Sequence, residues 1–181
     1  ETHGPMEIIN GQISPALDTV GERFERGEVF LPQLMASAET AKQGFTVLRA
    51  ASPADSVQTR GRVLLATVHG DIHDIGKNIV RMLLENYGFS VLDLGRDVPA
   101  EAVVQAVLRE KIRLVGLSAL MTTTVRSMAE TIAALRAVGA DCRVMVGGVV
   151  LTPEYAEMVG ADFYARDAAE SARIAAQVFE D

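Results

Sequence analysis

From residue 62 to residue 181 the chain alternates short apolar runs with longer stretches of helical period, and this alternation constrains the fold more than any single motif. The runs are RVLLATV (62–68), SVLDLG (90–95), RLVGLSAL (113–120), RVMVGG (143–148) and DFYA (162–165). They are too short for helices and several end at glycine or a turn, so they read as strands. Between them, Ile75, Ile79, Met82 and Leu83 recur at the spacing of a helix packed on a sheet, as do Val103, Val104, Val107 and Leu108 after Pro99. Met128, Ile132 and Leu135 form a third stripe, Ile174 and Val178 lie in a fourth, and a short helix follows Pro153. Strict alternation predicts an α/β fold: a five-stranded parallel sheet with helices on both faces. Ligands of such sheets sit beyond the carboxyl ends of the strands.

The first fifty residues obey a different rule. Leu34, Ala38, Ala41, Phe45 and Leu48 repeat at the spacing of a helix packed against helices. Leu17, Val20 and Phe24 give a shorter helix before it, opened by Ser14-Pro15, and RGEVFLP (26–32) separates the two. ASPADSVQTR (51–60) has weak apolar periodicity and reads as a linker. The expected organisation is a helical piece at 1–50, a linker at 51–60 and an α/β domain at 61–181. So few helices cannot bury both faces alone, so the piece must dock on something or be the remainder of a larger bundle. A first residue Glu1 in place of Met fits a processed chain or an excised module.

Composition removes several function classes. With 181 residues and 49% hydrophobic content, a chain of this size buries roughly 70% of the surface its unfolded form exposes and folds without staples. The single cysteine, Cys142, cannot form an internal disulfide, in keeping with a reducing, cytoplasmic setting. No apolar run approaches the roughly 20 residues of a membrane span, and no signal peptide is read at the start. A net charge of −7 argues against a nucleic-acid partner, which needs clustered Lys and Arg.

The chemistry concentrates in ATVHGDIHDIGKN (66–78), where His69, Asp71, His73 and Asp74 crowd a glycine-bounded loop after the first strand. It is not a phosphate loop: Gly76-Lys77 is followed by Asn78, Asp71 stands where the first glycine belongs, and both aspartates repel phosphate. The dinucleotide glycine pattern is absent as well. His69 reads as a surface or hydrogen-bonded loop residue. His73 differs, because an Asp two residues earlier can hold one ring nitrogen and leave the other for a metal. No cysteine or second histidine follows at zinc-site spacing. One imidazole suffices if the metal arrives inside a macrocycle that brings its other ligands. Two more strand ends fit the same pocket. GLSALMTTT (116–124) places Ser118, Thr122, Thr123 and Thr124 to hydrogen-bond a polar ligand or the His–Asp pair, with helix capping an alternative role for Thr123 or Thr124. VGGVVLTP (146–153) carries Gly147-Gly148, which permits a sharp turn or a close ligand approach.

Asp71-x-His73-x-x-Gly76, then Ser118-x-Leu120, then Gly147-Gly148, resembles the three-part signature of cobalamin-binding domains that hold the cofactor base-off with a protein histidine on cobalt. VGERFERGEVFLPQLMASAETAKQGF (20–45) is similar to the helical cap over the upper corrinoid face. The resemblance implies a Rossmann-like (flavodoxin-like) domain behind a partial four-helix cap, with cobalamin, as methylcobalamin, for cofactor and cobalt for metal. It makes His73 the lower axial ligand, Asp71 its partner and Thr124 a third, hydroxyl-bearing member. It places Gly70, Asp71, Ile72, His73, Asp74, Gly76, Ser118, Leu120, Thr122, Gly147, Gly148 and Ala168 along the lower side of the cofactor, and Phe24 and Leu31 over the methyl group. Adenosylcobalamin mutases lack such a cap and light-sensing relatives carry a tryptophan in theirs, whereas this chain has no Trp. What remains is a methyl carrier. TVHGDIHDIGKNIV and AEMVGADFYARDAAESARIA point first to cobalamin-dependent methionine synthase, with methyltetrahydrofolate- and homocysteine-binding modules and a reductive reactivation partner beside it. The alternatives are the corrinoid protein of a methanol- or methylamine-type system, served by a cognate methyltransferase, or a cobalamin sensor without catalysis.

Overall fold

The change of period near residue 60 is also a change of architecture. The structure, a computed structural model, describes residues 5–50 and 59–180, so all of the expected linker but its last two residues lies outside the described residues. The chain divides into two compact units, residues 1–60 with 85–89 and residues 61–84 with 90–181.

In the first unit a short helix α1 (Pro5–Ile8) runs through a π-helical turn (Ile9–Ile13) into α2 (Ser14–Glu25), and α3 (Leu31–Ala50) follows. The break between α2 and α3 is set by Gly27, whose φ of +71° suits glycine. Pro32 stands in the first turn of α3, where its missing N–H costs nothing. Leu17, Leu34 and Ala38 are buried where α2 and α3 meet. Ser14-Pro15 opens α2 as expected, but Ser14 does not cap it. Because α2 is entered directly from the π-helical turn, Ile13 holds the cap position in helical conformation, and the Ser14 hydroxyl is buried without a hydrogen-bond partner.

The second unit holds the sheet. Strands β1 (Arg62–Thr67), β2 (Ser90–Asp93), β3 (Leu114–Ser118), β4 (Arg143–Gly147) and β5 (Phe163–Tyr164) alternate with α4 (Ile75–Asn86), α5 (Ala100–Glu110), α6 (Val125–Ala137), α7 (Pro153–Met158) and a final α8 (Ala168–Glu180). All strand pairs are parallel, in the order β2-β1-β3-β4-β5. Leu64, Ala66 and Val68, with Val115, Leu117 and Ala119 and with Val144 and Val146, form one buried cluster with Val103 and Val107 of α5 and Met128, Ile132 and Leu135 of α6. Each of the valine, leucine, isoleucine and methionine side chains contributes about 1.5–3 kcal/mol by leaving water. The alternate residues Val63, Leu65, Leu114 and Met145 point to the other face, and right-handed crossovers leave that face to α4 and α8.

Two apolar stripes are narrower than their spacing suggests. Ile75 opens α4 with 79% of its surface exposed, and Leu108 is 53% exposed on α5. Ile75 lies at the carboxyl end of the strands, beyond the reach of the sheet. The strand order reverses between β1 and β3, which is where such sheets bind ligands.

Candidate functional site

At that reversal point the chain leaving β1 makes a tight turn. The Asp71 N–H donates to the Val68 carbonyl at 3.1 Å, and Gly70, at φ +82°, supplies the positive dihedral the turn requires. The turn carries Asp71 beneath the loop that follows β3. Its Oδ2 accepts from the Leu120 N–H at 2.7 Å, the Met121 N–H at 3.3 Å and the Thr124 hydroxyl at 2.9 Å. Its Oδ1 accepts from the His73 N–H at 3.0 Å and lies 2.8 Å from His73 Nδ1. Asp71 is fully buried, while 47% of the His73 side chain is exposed. Burial by itself would push the Asp71 carboxyl up. The hydrogen bonds from His73 and Leu120 N–H, the His73 ring and Thr124 outweigh it and hold the pKa at about 2. The ionised carboxylate is an acceptor only, so Nδ1 carries the ring proton and Nε2 presents its lone pair.

Thr124 occupies the cap position of α6, at the end of a 3-10 turn (Thr122–Thr124), but makes no capping bond. Its hydroxyl lies 2.9 Å from Asp71 and 2.8 Å from the Met121 carbonyl, and its one proton serves a single acceptor at a time. The structure thus gathers Asp71, His73, Leu120 and Thr124 into one network. Ile72 is exposed and Asp74 half-buried beside His73, Gly76 is exposed in the first turn of α4, and Thr122 is exposed. Ala168 opens α8, half-buried. Phe24 on α2 and Leu31 at the start of α3 are half-buried residues of the other unit.

A second group forms a row across the sheet. Thr67, Ser118 and Gly147 are register partners on β1, β3 and β4, so they share one face. The Thr67 hydroxyl is fully buried with no hydrogen-bond partner. A Cβ on Gly147 would stand 3.0 Å from the Ala165 carbonyl, and one on Gly148 1.9 Å from that of Ala119. Gly148 is therefore demanded by the protein's own backbone, and Gly147 is favoured more mildly for the same reason. Sequence reasoning missed Thr67, because a threonine inside a strand pattern looks like ordinary β propensity. It also missed Lys77, whose buried ammonium bonds Asp93 at 2.5 Å. Burial opposes the Asp93 charge, but the bonds from Lys77 and the Gly95 N–H, with Arg81 nearby, hold its carboxyl below the usual range.

These residues fit a corrinoid. Among the described residues no group of three or more His, Cys, Asp or Glu is arranged to hold a metal ion, so the protein offers one imidazole and not a cage. Ile72, Ile75 and Val149 put 60%, 79% and 84% of their surfaces in the open at the carboxyl end of the strands, an apolar rim suited to a flat macrocycle. The orphan Thr67 hydroxyl, on the same sheet face as the neighbouring Ser118, suits a polar group entering the sheet. Thr67→Val is accordingly expected to stabilise the apoprotein by about 1 kcal/mol, since it removes an unsatisfied buried hydroxyl, while weakening cobalamin retention. Denaturant unfolding and cofactor titration of the same variant check both halves.

A carboxylate-backed imidazole at the reversal point of a parallel sheet, beside exposed apolar side chains, has the form of a single side-chain ligand and not of a metal cage. The chain belongs to the B12-binding family: the B12 binding domain matches residues 61–176, and a second B12 binding domain model matches residues 1–49. It is a cobalamin-binding module of a helical cap and a Rossmann-like domain, related to the corrinoid proteins of methyltransferase systems. It is 42% identical over 170 residues to dimethylamine corrinoid protein 2 of Methanosarcina mazei, covering 92% of this chain and 79% of the relative. A crystal structure of a novel cobalamin-binding protein from Desulfitobacterium hafniense superposes with a TM-score of 0.85 at 38% identity, over 96% of this chain and 82% of that one. The methanol:cobalamin methyltransferase complex of Methanosarcina barkeri gives 0.79 at 34%, over 97% and 68%. These relatives favour the corrinoid-protein alternative; they lend no support to methionine synthase or to folate and homocysteine modules as partners. No helix among the described residues is long and apolar enough to cross a membrane.

Proposed function

We propose that this chain is the corrinoid-carrying component of a methylamine-type methyltransferase system, with residues 1–50 as cap, 51–60 as linker and 61–181 as cobalamin-binding domain. The observation that carries the reading is the Asp71–His73 bond at the β1/β3 reversal, which prepares Nε2 as a cobalt ligand. When bound, the corrinoid supplies a cobalt centre that accepts a methyl group and gives it up. His73 would hold the cobalt through Nε2, and ligation requires the ring neutral there. Asp71 fixes the tautomer and orientation of that ring. Thr124 holds the far oxygen of the Asp71 carboxylate and so keeps it aimed at the ring. Ser118, Thr67 and Gly147 would hold a polar part of the cofactor at the sheet, and a cognate methyltransferase would supply the methyl group. Dimethylamine is the favoured donor, because the relative of 42% identity is a dimethylamine corrinoid protein.

The reconstituted protein is expected to take labelled methyl from dimethylamine in the presence of a dimethylamine methyltransferase. Labelling from methyltetrahydrofolate alone would overturn this reading. His73→Gln is expected to weaken cofactor retention by at least the roughly 10-fold that loss of a ligand's hydrogen-bond partner costs and to abolish the nitrogen coupling from the lower ligand in the electron paramagnetic resonance spectrum of the cobalt(II) form.

A further inference from the structure

The loop that presents His73 is held from outside by a residue of a different connection. Asp97 lies between β2 and α5 with φ +53°, a left-handed conformation that is uncommon outside glycine. Its Oδ1 accepts the Gly70 N–H at 2.7 Å, the amide at the tip of the turn that leads to Asp71. Its own N–H donates to the Asp71 carbonyl at 2.9 Å. Asp97 therefore grips the turn twice, one residue to either side of the Gly70–Asp71 peptide bond. His69 completes the grip, with Nδ1 2.8 Å from the same carboxylate oxygen. Beneath it, the Val98 N–H donates to the Thr67 carbonyl at 3.0 Å, and Val68 and Val98 form a parallel bridge. The site thus contains two imidazole–carboxylate pairs of equal Nδ1···Oδ1 distance, 2.8 Å, one buried at its carboxylate and one at the surface.

We propose that the Asp97–His69 pair is a positioning device that sets the pose of the Asp71–His73 relay, so that Asp97 governs cobalt ligation without touching the cofactor. The inference rests on the reading of His73 as the axial ligand. It gives His69, which the relay leaves unused, a role: its ring steadies the oxygen that receives the Gly70 amide. The left-handed backbone at Asp97 is maintained because only there do side-chain oxygen and main-chain N–H reach the two sides of the turn together.

The test compares Asp97→Gly with Asp97→Asn in the full chain. Glycine removes the backbone strain but also the acceptor, while asparagine tolerates the left-handed conformation and keeps an oxygen for Gly70. In the apoprotein, hydrogen exchange at the Gly70 amide is expected to quicken about tenfold in Asp97→Gly and to stay near wild type in Asp97→Asn. With cobalt(II) cobalamin bound, the electron paramagnetic resonance spectrum of Asp97→Gly is expected to lose most of the axial nitrogen coupling, and Asp97→Asn to restore it. A merely structural role for the carboxylate would lower the melting temperature of Asp97→Gly and leave the coupling intact. Unchanged Gly70 exchange, or undiminished coupling in Asp97→Gly, would overturn the proposal. Absence of His73 coupling in the wild type defeats the ligation reading instead, and the Gly70 exchange still decides whether Asp97 holds the turn.

Discussion

Asp71→Ala is expected to lower the unfolding free energy of the apoprotein by about 3–5 kcal/mol. The carboxylate is completely buried and accepts from three backbone N–H groups, the Thr124 hydroxyl and the His73 ring. Truncation strands these donors where water does not replace the acceptor. Asp71→Asn keeps one oxygen but turns an NH₂ toward the remaining donors, so it should cost about half as much. The acid dependence has a definite sign. The folded pKa of about 2 lies below the unfolded value of about 3.9, so the ionised carboxylate contributes about 2.5 kcal/mol. That contribution is complete above about pH 5 and disappears as pH falls through the folded value. Urea unfolding of wild type and Asp71→Asn at neutral pH and at about pH 3 checks this. The gap between the two proteins should narrow in acid, and a gap independent of pH would refute the assignment.

Gly148→Ala should be comparably damaging, for a steric reason. A Cβ would be forced to 1.9 Å from the Ala119 carbonyl oxygen at a residue with φ +143°. Neither atom belongs to a flexible side chain, so the two backbones must separate, at a cost on the order of 3–5 kcal/mol with the strain included. Ala119 directly precedes Leu120, whose N–H bonds Asp71. The disturbance therefore reaches the relay, and weaker cobalamin retention should accompany the loss of stability. Gly147→Ala meets only a 3.0 Å contact with Ala165 and should cost about 1 kcal/mol. Thermal unfolding separates the pair: a loss of roughly 10 °C or more for Gly148→Ala against a few degrees for Gly147→Ala. Equal losses would contradict this division of roles within the double glycine.

The sheet was readable because period is a physical signal: strands buried on both faces must be largely apolar, as 63–66 and 114–117 are. Strand ends were overestimated by one to three residues, since Val68, Leu94 and Ala119 stay apolar while turning into loops. The helix stripes exaggerated burial where Ile75 leaves the sheet. At the site, Asp71 and His73 were legible from their two-residue spacing, which by itself brings carboxylate and ring together. The Thr124 hydroxyl and the Leu120 N–H reach Asp71 from 53 and 49 residues away, and the spacing of residues 66–78 alone predicts neither. Lys77 read as a helix-surface lysine because nothing local announces that Asp93, on the neighbouring strand, will receive it. Residues 66–78 do not separate the methionine synthase reading from the corrinoid-protein one, because the resemblance they carry is to cobalamin-binding domains as a whole.

The sheet stops at β5, where only Phe163 and Tyr164 are paired to β4. So short a border exposes few free amides and carbonyls to a passing copy. Edge-to-edge stacking into fibres therefore finds little purchase there, and this border offers a carrier protein little invitation to polymerise through β-pairing at high cellular concentration.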